Sequence, residues 1–450
     1  MATARKMSNM KLRIALCVLA LFTLTACDTV SGMFSGKEAP PLPGKRVSIL
    51  VQEQTLEADD STKDQDILLP QPTENPNWPQ AGGYPNHAMH HVKVRASLQK
   101  AWSSSIGDGN DDADRLIAQP VVQGGRIYTM DVSSEVRATN VQTGSKIWTN
   151  DLTPADDDDG HIGGGLAVDG NMVFVTTGFG DIVALDAATG KVVWKRGVTA
   201  PMRSAPTVNA GRVFAVTVTN KLHVLDAEDG RILWNHAGIE EATGLLGGAS
   251  PAVDSGVVVV PYSSGEIFAL RIENGQELWN DSLAGQRRTR GTTSLSAIRG
   301  RPVIDRGVVY ATSFGGVTTA INLRTGRRVW DKEIASIESP WIAGDYLYMI
   351  SVNSELVCIN RADGRIHWVT QLPEFKDPKK KADRIIWTGP VLASDRLIVA
   401  SSIEEAWTVS PYDGRVMGKI SLPDGVTIGP VVASDTVFFL SDNAELVAYR

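Results

Sequence analysis

The chain is expected to be an all-β, eight-bladed β-propeller with four-stranded antiparallel blades, the last closed by an N-terminal strand. Two observations carry this. The unit Ala184-Leu185-Asp186-Ala187-Ala188-Thr189-Gly190-Lys191-Val192-Val193-Trp194 recurs along the chain, and a proline precedes most copies of the strand group around it. The Gly190 to Trp194 step has cognates at Gly144 to Trp148, Gly230 to Trp234, Gly275 to Trp279, Gly326 to Trp330 and Gly364 to Trp368. Gly414 has the same context, but Met417-Gly418 replaces the tryptophan. Successive glycines lie roughly 40–50 residues apart, the length of one propeller blade.

Each unit reads as four strands. Strand A starts near Pro120, Pro206, Pro251, Pro302, Pro340, Pro390 and Pro430, because proline is tolerated where no ladder donor is needed. Turns such as Gln123-Gly124-Gly125 follow, with residues suited to tight reversals. Strand B is apolar and β-branched, as in Met172-Val173-Phe174-Val175-Thr176, and strand C alternates, as in Asp181-Ile182-Val183-Ala184-Leu185. A Thr-Gly or Asp-Gly turn opens strand D, which is expected to end on the tryptophan, a wedge between sheets that cannot bury both faces alone. The last unit stops at Ala448-Tyr449-Arg450, level with strand C. Its missing strand D is expected at Leu98-Gln99-Lys100-Ala101-Trp102, which closes the ring and removes free edges. An open solenoid would need terminal caps, and none is visible.

The first residues read as a lipoprotein signal. Arg5, Lys6, Lys11 and Arg13 precede a short apolar run from Ile14 to Leu24, then Leu24-Thr25-Ala26-Cys27. The run is too short for an ordinary transmembrane helix. Small residues before Cys27 suit a lipoprotein signal peptidase, so Cys27 is expected to carry lipid after residues 1–26 are removed. Several acyl chains on one cysteine anchor stably, whereas one alone is marginal. Residues 27–76 hold Pro40-Pro41-Leu42-Pro43 and charged runs and read as a tether; residues 47–51 are a candidate extra strand. The propeller is expected over 77–450. Of three cysteines, Cys17 leaves with the signal and Cys27 is modified, so Cys358 has no disulfide partner. The formal net charge of −7 argues against nucleic acid as a partner.

The repeat resembles that of pyrroloquinoline-quinone dehydrogenases, and Trp78-Pro79-Gln80-Ala81-Gly82-Gly83 is similar to their N-terminal segment. The closer resemblance, over residues 78–450 and the lipobox, is to the BamB family, propeller lipoproteins of the outer-membrane β-barrel assembly machinery. Ala101-Trp102-Ser103-Ser104-Ser105-Ile106-Gly107-Asp108-Gly109 resembles that family's first strand. The resemblance implies a non-catalytic scaffold without a cofactor, on the periplasmic face of the outer membrane. The partners it implies are the periplasmic POTRA domains of BamA and unfolded barrel precursors. Asp28 after Cys27 is a sorting position in some lineages. A quinone enzyme would be expected to carry adjacent cysteines, and many add a Cys-x-x-Cys-His haem motif; the sequence has neither. A general ligand-binding propeller is a third reading.

Other candidates have plainer explanations. Asp108 to Asp114 begins like a Ca²⁺ loop, but Ala113 stands where glycine is needed and Gln119 where a bidentate glutamate is needed. Asp156 to Asp159 and Lys376 to Arg384 read as solvated interblade loops. His87 and His91 have the i, i+4 spacing of zinc ligands, but Gly83, Pro85 and the β-prone Val92 argue for a loop.

The partner surface is expected in two connections. Glu240-Glu241-Ala242-Thr243-Gly244-Leu245-Leu246-Gly247-Gly248 places two leucines in a glycine-rich stretch, a pattern of exposed apolar contact. The next connection supplies Arg288, Arg290 and Arg299. The family resemblance makes these the loops that dock BamA, with Leu245 matching a family leucine. The family's arginine and two aspartates fall at or near Leu246, Ala297 and Arg299 here, so the polar half of the contact differs in charge.

Overall fold

A computed structural model of the chain describes residues 56–62, 65–155, 161–198, 200–241, 244–284 and 296–450. Cys27, residues 47–51, the acidic run 156–159, Arg288 and Arg290 lie outside them.

Among the described residues the strands form eight four-stranded sheets and one two-stranded hairpin. Seven sheets are sequential meanders spanning 121–151, 165–197, 207–237, 252–282, 303–332, 341–371 and 387–421, here blades 1 to 7. Blade 8 joins strands from both ends of the described chain: Lys100–Ser105 pairs antiparallel with Glu445–Tyr449. The pairing continues in mutual backbone bonds between Gln99 and Arg450, each 2.9 Å. The closing strand therefore starts and ends later than its expected position, 98–102. The reason is shared by every blade that has the tryptophan: it is the third residue of strand D rather than its end, as in Lys146–Asp151 and Val192–Gly197. Two or three further residues keep pairing. The register shifts once at the start of strand D in each blade, as between Ala184 and Leu185, a bulge that adds twist where the turn delivers the tryptophan.

The joints between blades share one geometry. Trp148 donates its indole N–H to Ala187 O of blade 2 at 3.1 Å, Trp194 to Ala227 O of blade 3 at 3.0 Å, and Trp279 to Leu323 O of blade 5 at 2.7 Å. The ring lies on the glycine of the receiving turn. A Cβ on Gly190 would sit 2.5 Å from Trp148 Cε3, and one on Gly230 would sit 2.6 Å from Trp194 Cε3. These glycines also have φ near +70°, so both close approach and left-handed backbone exclude other residues. Asp186 holds the turn by accepting from Ala188 N, Thr189 N and Thr189 Oγ1.

The ends of the chain explain the exception at Met417-Gly418. Blade 8 has no C-to-D turn, because its strands C and D come from opposite termini of the propeller. No glycine is there to receive a tryptophan from blade 7. Tyr449 substitutes by donating its hydroxyl to Ser421 O at 2.6 Å. On the other side, Trp102 covers Gly144 of blade 1. There Arg450 Nη2 donates to Val141 O at 3.2 Å and Gln142 O at 2.7 Å.

Residues 73–94 lace the inner strands together. Strand A is the innermost strand of each blade, with one edge left unpaired. Asn75 bonds Val432 and Ser434 of blade 8, Trp78 exchanges two backbone bonds with Val122 of blade 1, and Pro79 O accepts from Val168 N of blade 2. The Gln80 amide imitates a backbone by bonding both N and O of Val208 in blade 3. Pro85 O and Asn86 O accept from Val253 N and Ile304 N of blades 4 and 5. His90 O accepts from Trp341 Nε1 of blade 6, and Val92 bonds Leu392 and Ser394 of blade 7. One segment thus satisfies inner-edge groups around the ring. The chain already contacts the propeller before residue 76, where the tether was expected to end. Asp59 N donates to Ile366 O at 2.9 Å, and Thr62 and Ile67 are buried.

Closure makes a direct prediction. A chain beginning at Ser103 lacks Trp102, half the closing strand and the inner lacing. It is expected to melt far lower than the full chain, or to aggregate, in a thermal scan coupled to size-exclusion chromatography. Equal stability as a monomer would refute closure by this strand.

Candidate functional site

The connections between blades meet around the central axis and enclose a cavity of about 520 Å³ with Ala81 of the lacing segment among its lining residues. Its walls include Leu246, Ile337, Ile386 and Ile428, and its polar groups include Arg299 and Arg301. Leu246 is 40 % exposed and Ile386 47 %. Leu245 is half-buried and also lines a neighbouring cavity of about 380 Å³ between blades 3 and 4. Neither leucine belongs to a strand or to a blade core cluster.

The leucines and Arg299 come together here, although they lie on different connections. Gly247 has φ +84°, and a Cβ there would stand 3.2 Å from Arg299 Nε. Arg299 Nη1 is 3.5 Å from Glu338 Oε1 on the next connection. Glu338 Oε2 accepts from Thr388 Oγ1 at 2.8 Å and Gly389 N at 3.2 Å at the start of blade 7. Glu338 thereby ties the connection that carries Arg299 to blade 7 at the cavity mouth. Ala297 is buried and offers nothing to a partner. Glu338 had no signal in the sequence, because its significance comes from neighbours far along the chain, and Arg301 stood out only as one arginine of a basic connection.

Arg301 lies deeper. Its backbone N donates to Ser339 Oγ at 2.9 Å, while its buried Nε has no hydrogen-bond partner. Burial pulls its pKa down to about 10, opposed by Glu338 and reinforced by Arg299. His87 stands beside it: a Cβ on Gly82 would meet Arg301 Nε at 2.9 Å and His87 Cδ2 at 3.0 Å. His87 Nδ1 lies 2.7 Å from Pro302 O, which can only accept, so Nδ1 carries the proton and Nε2 a lone pair.

The remaining candidates have structural roles. His91 Nδ1 bonds Pro70 O, and Asp395 N donates to His91 Nε2 at 2.9 Å, so both ring nitrogens are used within the fold. Asp111 Oδ1 accepts from Ala113 N and Asp114 N, and Asn110 Oδ1 from Leu116 N, closing turns instead of facing an ion. The basic stretch read as a loop is a hairpin, Phe375–Asp377 with Ala382–Arg384. Its turn is held by Asp377 Oδ1, which accepts from Lys379 N and Lys380 N.

With this geometry in hand, comparison with known proteins gives a consistent answer. The family profile described as "Outer membrane protein assembly factor BamB" matches residues 132–370. The chain belongs to this family. It is similar to the outer membrane protein assembly factor BamB of Yersinia pestis, 28 % identical over 364 residues that cover 80 % of this chain and 90 % of that one. Its fold is like that of crystalline BamB from Moraxella catarrhalis, with TM-score 0.68 and 19 % identity, covering 78 % of this chain and 99 % of that one. The quinohemoprotein alcohol dehydrogenase of Comamonas testosteroni gives TM-score 0.64 at 14 % identity, covering 84 % and 81 %. An assembly factor and an enzyme therefore share this architecture, and the fold by itself does not choose between them. Within the BamB family, the match spans both connections that meet at the funnel mouth.

The floor of the funnel gives a pH prediction. Burial is the main cause that lowers the His87 pKa from its ordinary 6.5 to about 3, and the nearby Arg301 charge adds to it. A pKa depressed on folding means that the unfolded chain takes up the proton first. The contribution of neutral His87 is thus complete above about pH 6.5 and lost as pH falls towards about 3. Within that window the slope approaches about 1.4 kcal/mol per pH unit. His87→Gln keeps a donor for Pro302 O and should lose less stability between pH 6.5 and 4, measured by denaturant unfolding at each pH. Parallel curves for the two proteins would refute this.

Proposed function

We propose that the chain is a non-catalytic scaffold of outer-membrane protein assembly that docks BamA through the mouth of its central funnel. The observation that carries this reading is the exposed Leu246 beside half-buried Leu245, on a connection outside the blade cores, in a chain of this family. Arg299 borders them, and Arg288 and Arg290 of the same connection are proposed to extend the charged rim. An apolar centre inside a charged rim has the anatomy of a transient interface. In such a contact the leucines mainly set the dissociation rate, and the arginines the association rate and its salt dependence. Lipid on Cys27 would hold the scaffold to the periplasmic face of the outer membrane. Precursor strands would meet the outer edge of strand D by β-augmentation.

The dehydrogenase reading rests on the resemblance of the repeat and of Trp78 to Gly83 and on fold likeness. Cys358 is buried and free, and its only companions in the sequence are Cys17 and Cys27. The adjacent cysteine pair that the resemblance would bring is therefore missing.

Two measurements test the proposal. Leu245→Ala with Leu246→Ala is expected to weaken capture of the BamA periplasmic domains by about 1–3 kcal/mol while leaving the thermal melt unchanged. A strongly lowered melt would make the leucines structural, and full capture would put the contact elsewhere. Cys27→Ser is expected to move the protein out of the detergent-soluble membrane fraction, as a soluble or uncleaved species. Unchanged fractionation would remove the lipid anchor from the account.

A further inference from the structure

We propose that the floor of the funnel binds a small organic carboxylate on a short apolar body, with the Arg301 guanidinium as its counter-ion. The proposal stands on Arg301 and its surroundings and is independent of the docking of BamA at the mouth.

Three features point to it. First, Arg301 lines the cavity, is half-buried, and its buried Nε has no partner. A partly desolvated guanidinium with an unpaired N–H is costly, and a fold that retains one has a place for an anion that accepts from it. Second, the nearby acid is already committed to other partners. Glu338 is engaged by Arg299 on the preceding connection and by Thr388 and Gly389 at the start of blade 7. His87 is neutral, with Nδ1–H turned to Pro302 O and Nε2 buried without a partner. Third, the same cavity is lined by the apolar side chains of Leu246, Ile337, Ile386 and Ile428. Such walls take up methylene groups and exclude heavily hydrated ions. The volume of about 520 Å³ is ample for a chain of several carbons.

The charge balance selects the ligand class. A carboxylate accepts two parallel N–H bonds from a guanidinium and brings one negative charge. A phosphate monoester would bring about two charges at neutral pH and set the second near Glu338. A carboxylate is therefore favoured over a phosphate, and a neutral amide lacks the charge that Arg301 needs.

The test uses hexanoate as the probe, titrated into the full chain by isothermal calorimetry. Hexanamide and hexyl phosphate serve as neutral and doubly charged counterparts. Hexanoate is expected to saturate with a dissociation constant of about 1 mM or tighter, and the two counterparts to bind at least ~10-fold more weakly. Arg301→Gln should lose at least ~10-fold in hexanoate affinity. Its melting temperature should hold or rise, because an unpaired buried charge has been removed. Arg301→Lys keeps the charge without the fork and should fall between them, which preserves the test if the glutamine variant folds poorly. Absence of saturable hexanoate binding, equal binding of hexanamide or hexyl phosphate, or full hexanoate affinity in both variants would overturn the proposal.

Discussion

The whole ring depends on the contact between an indole and a glycine. Each blade is a four-stranded sheet with two faces to bury, and it can bury them only against its neighbours. The tryptophan of strand D reaches across the joint, lies on the glycine of the next turn and donates its N–H to a carbonyl of that turn, as Trp194 does on Gly230 and Ala227. A residue larger than glycine would collide with the ring, and a smaller wedge would leave a gap. The joint therefore fixes both spacing and tilt between adjacent sheets. Where blade 8 lacks the receiving turn, Tyr449 bonds blade 7 instead, and at the joint with blade 1 Arg450 bonds the turn that Trp102 covers. The ring closes through these substitute bonds, although Trp102 Nε1 itself has no hydrogen-bond partner.

Rigidity at the joints frees the connections for other work. Strand A edges are satisfied by residues 73–94, and the closing strand removes the gap in blade 8. Segments between blades are then held at both ends by fixed sheets while their middles remain available for contact, the usual location of binding residues on a rigid scaffold. Arg299, Glu338 and Thr388 illustrate the result: side chains from two connections and the first strand of blade 7 meet around one mouth. The same arrangement holds half-buried Arg301 in the cavity beside them.

Repeats made the fold legible and left the site mostly hidden. The glycine-to-tryptophan step and the prolines before strand A identified the blades, and Ala448-Tyr449-Arg450 showed that strand D of the last blade had to come from elsewhere. Local pattern also identified Leu245 and Leu246, since an apolar pair among glycines has no place in a strand. The limits were physical. Strand D was read as ending at its tryptophan because the residues after it are polar and exposed, yet backbone pairing continues through them. Residues 56–76 looked like a tether because their composition is polar and proline-rich. Their hold on the propeller comes from backbone bonds and a few buried side chains such as Thr62 and Ile67. Glu338 and Arg301 are ordinary surface-type residues in sequence, and only the circular arrangement of blades makes them neighbours.

The proposed docking puts the assembly machinery at the funnel mouth and not at the outer circumference. Site-specific photo-crosslinking in cells tests it directly, with a benzophenone side chain at Leu246 on the mouth or at Val193 on exposed strand D of blade 2. The account predicts a strong adduct with the periplasmic part of BamA from position 246 and little or none from position 193. An adduct from position 193 with none from position 246 would contradict it.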